Sequence, residues 1–190
     1  MRSHGERARP AHREGDTAVL DGENTLRLAG VTEDSIVDGP GLRFTVFAQG
    51  CPHACPGCHN PQTHDPAGGY EENIDALLSR FKRNPLLAGV TLSGGEPFAQ
   101  AAALAAFATA IQALGKTVWI YSGYTFEQIL SKAPQQEGWR ALLEAADVLV
   151  DGPFLLSEKT LGLRFRGSRN QRILDISASL QAGAAIAWEK

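Results

Sequence analysis

Apolar positions along the chain change their spacing several times, and each change marks an element. RFTVFAQ, residues 43–49, gathers β-branched and aromatic side chains in one short run, as a strand does. In EENIDALLSRFKRN (71–84), Ile74, Leu77, Leu78 and Phe81 fall at i, i+3, i+4 and i+7, which predicts one helix over the stretch. GVTLS (89–93) is a short strand ending in Gly94 and Gly95, after which Leu104, Phe107, Ile111 and Leu114 return to helical spacing. TVWIY (117–121) is a continuous apolar run after its threonine, as expected of a strand covered on both faces. Thr125 and Gln128 then spell a capping box for a helix bearing Phe126, Ile129 and Leu130. A further helix is predicted over Trp139 to Ala146, a buried strand at DVLVD (147–151) and a later strand at RILDI (172–176).

Strands alternating with helices predict an α/β fold, a single domain with a mostly parallel sheet and right-handed crossovers. The stretches GCPHACPGCHNP, SGGEP, SGY and DGP each directly follow a predicted strand. Loops at the carboxyl ends of parallel strands share one face, where ligands bind, so these four loops are expected to meet at one site. Residues 1–24 are polar and mixed in charge, and read as a disordered extension; residues 25–190 read as the folded domain.

At 190 residues the chain exceeds the roughly 150 typical of one domain only modestly. Its net charge of −3 argues against nucleic acid as a partner, since such proteins usually carry a basic surplus. The one candidate membrane segment, Ala99 to Leu114, spans about 24 Å as a helix against a hydrocarbon core of about 30 Å. A buried helix suits it better, so no membrane is expected. The N-terminus lacks the apolar stretch of a secretory signal, and the three cysteines are too few and too clustered for a disulfide framework. Together these features predict a reducing, cytoplasmic setting.

Those cysteines, Cys51, Cys55 and Cys58, have Cys-x3-Cys-x2-Cys spacing. Three thiolates on one compact loop suit an iron–sulfur centre with an open position. A closed zinc site needs a fourth ligand, for which His64 is better placed than His53 or His59. In SGGEP, Gly94 and Gly95 permit close backbone approach, and Glu96 offers an acceptor for an ammonium group; a plain strand-to-helix turn is the alternative. Ser122 either offers a polar contact or leads into the cap at Thr125, while Asp151 either lines a pocket or makes a turn. LRFRGSRNQR (163–172) holds four arginines, of which Arg164 and Arg166 share a face if the stretch is extended. Trp119 and Trp139 read as core, and Met1 is the only methionine.

The segment SIVDGPGLRFTVFAQGC, the cysteine spacing and SGGEP together resemble the radical S-adenosylmethionine activators of glycyl radical enzymes. The resemblance runs over roughly residues 33–176, and RFRGSRNQ aligns it most closely with the activators of anaerobic ribonucleoside-triphosphate reductase. It implies a partial (β/α) barrel, a [4Fe-4S] cluster on Cys51, Cys55 and Cys58, and S-adenosylmethionine chelated to the fourth iron. It also implies that Gly94, Gly95 and Glu96 hold the methionine amino group, that Ser122 contacts the cofactor, and that Gly57 and His59 touch its adenosyl part. The activity implied is reductive cleavage of S-adenosylmethionine, fed by a one-electron donor such as flavodoxin or ferredoxin, to place a glycyl radical on a partner enzyme. No residue is assigned an acid–base role. His59, in CHNP, is closer to pyruvate formate-lyase activators, whereas Gly57 fits the reductase group, and Glu96 stands where that group often has aspartate. Activation of a lyase-type enzyme, a small-molecule radical reaction and a non-enzymatic zinc or iron–sulfur module remain as alternatives.

Overall fold

A computed structural model describes residues 24–160 and 162–189; the predicted extension, Met1 included, lies outside these apart from Asn24. The strands are β1 (Thr25–Ser35), β2 (Arg43–Ala48), β3 (Tyr70–Asn73), β4 (Gly89–Gly94), β5 (Thr117–Tyr121), β6 (Val148–Asp151) and β7 (Arg172–Asp175). The helices are α1 (Ile74–Lys82), α2 (Ala101–Gln112), α3 (Phe126–Lys132), α4 (Trp139–Glu144) and α5 (Ile176–Ala182). All seven strands join one sheet in the order β3-β1-β2-β4-β5-β6-β7.

Strands β2, β4, β5 and β6 pair in parallel and form the centre that the alternating pattern predicts. Antiparallel strands extend it on both sides, β1 and β3 beyond β2, and β7 beyond β6. The reason is the connections: helices carry the chain back between the parallel strands, whereas residues 36–42 and 152–171 contain none long enough to do so.

The helix predicted over 71–84 is shorter than its spacing suggested. Tyr70–Asn73 is a strand paired with Thr25–Leu28, and extension lets Glu71 meet Arg27 at 2.8 Å and Glu72 meet Arg80 at 3.1 Å. Asn73 then caps α1, its side chain accepting from the amides of Asp75 and Ala76. Likewise α2 starts only at Ala101, after a single 3-10 turn over Pro97–Gln100, and Leu114 falls beyond its end and is half-exposed.

Alternation along the central strands divides the sheet into two faces. Phe44, Val46, Val90, Leu92, Val118, Ile120 and Leu149 point to the helices and pack with Leu104, Phe107 and Ile111. Burying each such side chain is worth about 1.5–3 kcal/mol. The opposite face carries Trp119, Val148 and Val150, packed with Tyr121, Phe165, Ile173 and Trp188. TVWIY is apolar without alternation because it is covered on both sides. Arg43 also lies on this second face and is completely buried. Its guanidinium donates to Thr91 Oγ1 at 3.1 Å, to Thr117 Oγ1 at 2.6 Å and to the Val90 carbonyl, and sits over the Trp119 ring. Burial lowers its pKa to about 10, so it stays charged at neutral pH.

Because β2, β4, β5 and β6 are adjacent and parallel, the cysteine loop, SGGEP, SGY and DGP leave the same edge of the sheet side by side.

Candidate cluster-binding site

The cysteine loop leaves β2 and closes on itself at its neck. Gly50 N donates to the Thr63 carbonyl at 2.8 Å and Cys51 N to the His64 carbonyl at 3.2 Å. The Gln49 side chain ties the returning chain further, donating to the carbonyls of Gln62 and Asp65. Inside the loop, Cys58 N donates to the Cys55 carbonyl at 3.1 Å around Gly57, whose φ of +72° suits a residue without a Cβ. The Asn60 amide lies 3.3 Å from the Cys58 sulfur as a donor.

All three cysteines are free and half-buried, and burial raises the pKa of the Cys51 thiol. Among the described residues no three His, Cys, Asp or Glu side chains are gathered closely enough to hold a metal ion. The donor set nevertheless fits an iron–sulfur cluster: three accessible soft thiols on one loop, which ligation would deprotonate and draw together. Two of the three histidines of this region have side-chain partners, whereas His64, beside Cys51 at the neck of the loop, has none among the described residues. His53 Nε2 bonds Glu96, the His59 ring lies 4.9 Å from that of Phe154, and His64 Nε2 is buried with no hydrogen-bond partner among the described residues.

The two glycines of SGGEP serve a backbone-to-backbone junction. A Cβ on Gly94 would lie 2.6 Å from Phe47 Cα, and one on Gly95 would lie 2.3 Å from the Gly50 oxygen. This closeness lets Gly95 N donate to Ala48 O and Glu96 N to Gly50 O, each at 2.8 Å, which fastens the end of β4 to the root of the cysteine loop.

Glu96 is fully buried, and its carboxylate is already surrounded. Oε1 accepts from Phe98 N at 3.0 Å, and Oε2 from Gly123 N at 2.9 Å and from His53 Nε2 at 2.8 Å. The Ser122 hydroxyl lies 3.0 and 3.1 Å from the two oxygens and itself accepts from Tyr124 N. Glu96 and Ser122 are thus brought together, and Glu96 also caps the 3-10 turn that follows it, as the alternative of a plain turn would have it. His53 completes the group, stacked edge-on against Tyr124 at 4.4 Å between ring centroids. Tyr124 continues to Trp139 at 4.9 Å, and its phenol is pushed up in pKa by burial, then by Glu96 and Cys51.

Asp151 turns out to be a clamp. Its buried carboxylate accepts from Phe126 N, at the start of α3, and from Arg172 on β7. Gly57 and His59 lie on the other side of the loop, facing the segment after β6: a Cβ on Gly57 would lie 3.0 Å from Leu156 Cδ1. Arg164 is exposed over the Phe165 ring, whereas Arg166 donates to the Gln171 carbonyl, so the two do not act as one extended face. Phe165, at φ +60°, breaks the extension between them.

A cavity of about 640 Å³ lies on the second face of the sheet. Its lining runs from Cys58 and His59 past Ser93 and Tyr121 to Phe154 and Arg166. Such a volume is ordinary for a site that takes a small organic ligand. Sequence reasoning did not single out Tyr124, Phe154 or Leu156, and weighed His53 only as a zinc ligand. The usable signal was position: each lies within a few residues of a motif that follows a strand.

Comparison with known proteins places the chain first in a class. The 4Fe-4S single cluster domain family matches residues 37–174, and the cysteine loop lies within that match. The anaerobic ribonucleoside-triphosphate reductase-activating protein of Vibrio cholerae serotype O1 is 37% identical over 151 residues, covering 73% of this chain and 90% of the relative. That of Escherichia coli K12 is 35% identical over 148 residues, covering 72% and 90%. The chain belongs to the family of anaerobic ribonucleoside-triphosphate reductase-activating proteins. The solved structure of QueE from Escherichia coli is similar over 53% of this chain and 54% of its own, with 16% identity and a TM-score of 0.43.

Proposed function

We propose that this chain is a radical S-adenosylmethionine activase that places a glycyl radical on anaerobic ribonucleoside-triphosphate reductase, and that residues 25–190 form its catalytic domain. The observation that carries this reading is the meeting, at one edge of four parallel strands, of three free thiols with the buried Glu96–Ser122 pair. The names of its relatives supply the partner.

In this reading Cys51, Cys55 and Cys58 hold a [4Fe-4S] cluster, and Glu96, presented by Gly94 and Gly95 and oriented by Ser122, receives the amino group of S-adenosylmethionine. Gly57 and His59 border its adenosyl end. When bound, the cluster and S-adenosylmethionine would supply a one-electron reductive cleavage to methionine and 5′-deoxyadenosine, the latter carrying the hydrogen atom taken from a glycine of the reductase. The chain's own residues bind, orient and shield. The fastened junction between β4 and the cysteine loop holds Glu96 beside the thiols, and the Phe154–His59 contact screens the loop on its far side. Val37 and Phe154 line the cavity, and their neighbours Ile36, Leu155 and Leu156 are exposed, which suits a protein partner. The electron comes from a small carrier of the flavodoxin or ferredoxin type, and the setting is the cytoplasm, where thiols stay reduced. Neither nucleic acid nor a membrane enters this reading. No helix of the described residues is long and apolar enough to cross a membrane.

The test is 5′-deoxyadenosine formation by anaerobically reconstituted protein with a strong one-electron reductant, followed by the glycyl radical signal when the reductase is added. Cys55→Ala is expected to abolish both, since no fourth cysteine exists to replace it. Product from Cys55→Ala at the wild-type rate would overturn the ligand assignment.

A further inference from the structure

Glu96 already has as many donors as its carboxylate can serve. A carboxylate offers about four acceptor positions. Phe98 N, Gly123 N, the Ser122 hydroxyl and His53 Nε2 fill them all, and the group is sealed from solvent. The first three donors belong to the scaffold, one in the turn after Glu96 itself and two at the end of β5. His53 alone comes from the cysteine loop. It is seated by shape as well as by the hydrogen bond: its ring lies edge-on to Tyr124, and it fills the space above Gly123, where a Cβ would lie 2.4 Å from His53 Cδ2. The next residue, Ala54, holds φ at +46°, a left-handed conformation that side chains with a Cβ rarely adopt. The residue that docks on Glu96 is therefore followed directly by a strained backbone position.

We propose that His53 is a latch on Glu96. The imidazole and the cationic amino group of S-adenosylmethionine compete for the same carboxylate oxygen, so the ligand binds as the latch opens and the cysteine loop is released from Gly123 and Tyr124. The latch rests on the reading of Glu96 as the ammonium acceptor, and it adds a positioning residue, His53, whose hydrogen bond opposes ligand binding. It also explains why the loop between the first two cysteines carries a residue able to hydrogen-bond a carboxylate while lying on a tyrosine.

The test measures the dissociation constant of S-adenosylmethionine for anaerobically reconstituted protein, by equilibrium dialysis, alongside iron and sulfide content. His53→Phe keeps a ring against Tyr124 and removes the donor. Gly123→Ala displaces the imidazole from outside the cysteine loop. Both are expected to bind S-adenosylmethionine about threefold to tenfold more tightly, the worth of one net hydrogen bond. His53→Gln, which retains an N–H donor, is expected to return toward wild type. Glu96→Gln is expected to bind at least about tenfold more weakly, because a charged acceptor is lost. Weaker or unchanged binding by His53→Phe and Gly123→Ala, with Glu96→Gln impaired, would overturn the latch and leave the Glu96 reading standing. Unimpaired Glu96→Gln would remove both. Should His53→Phe alone fail to take up iron, Gly123→Ala decides; failure of both to do so would make His53 a scaffold for the loop and overturn the latch.

Discussion

Gly95 sets how closely the glutamate loop approaches the cysteine loop. Its missing Cβ leaves room for the Gly50 carbonyl, a backbone atom that cannot swing aside as a long side chain can. Gly95→Ala is expected to destabilise the fold by about 1–3 kcal/mol through overpacking, and to part the two loops. Its iron and sulfide content after reconstitution should fall well below wild type. Gly30→Ala, where a Cβ meets nothing within 4 Å, is the control. Normal iron uptake by Gly95→Ala would show that the junction does not matter for the cluster. At this scale the sequence exposes the cysteines, Gly94 to Glu96 and Ser122, because each is a short motif directly after a strand. The company Glu96 keeps is hidden, since His53, Ser122 and Gly123 lie 43, 26 and 27 residues away and only the sheet order brings them together.

Elements are joined at the same edge by a charged clamp. Arg172 on β7 donates to the buried carboxylate of Asp151 at the end of β6 and to both oxygens of Glu127 on α3. Hydrogen bonds from Arg172 hold the Glu127 carboxyl down to about 2. A depressed carboxyl contributes stability above its unfolded value, near 4.5, and loses it as pH falls towards about 2. Glu127 is largely exposed, so Glu127→Gln should cost only about 0.2–1 kcal/mol at pH 7, a difference that vanishes over that acid window. Arg172→Met leaves the buried Asp151 with only the Phe126 amide as donor and should cost about 1–3 kcal/mol at pH 7. Urea unfolding at pH 7 and at acid pH reads both; equal losses in the two variants would mean that Asp151 gains nothing from the clamp. Several elements stayed illegible for physical reasons. Strand β1 shifts register between Leu28 and Gly30 and again between Thr32 and Ser35, so its alternation breaks. Strand β3 reads YEEN, which looks like the first turn of a helix until Arg27 and Arg80 are placed opposite its glutamates. Helix α5 is hidden because RILDI reads as one apolar run, whereas the strand ends at Asp175, whose side chain caps the helix that begins at Ile176.

Across the whole molecule, the sheet has helices packed on one face and a cavity on the other, bordered by the segment that follows β6. That segment is tied to its own return limb: Leu155 N donates to Ser168 Oγ, Asn170 Nδ2 to the Pro153 carbonyl and Gln171 Nε2 to the Gly152 carbonyl. It therefore behaves as a unit, and it touches the cysteine loop at two places, Leu156 over Gly57 and Phe154 beside His59. A group that binds only the folded chain stabilises it, and most strongly where binding removes local opening. Cluster incorporation is expected to raise Tm and to slow amide hydrogen exchange in residues 50–64 and 153–160 together. Strands β4 and β5, hydrogen-bonded to a neighbour on each side, should exchange as before. Protection confined to 50–64 would mean that the segment after β6 borders the cavity without responding to the metal. Protection of both is what two contacts across a cavity of this size predict, because fixing the cysteine loop also fixes the surface on which Leu156 and Phe154 rest.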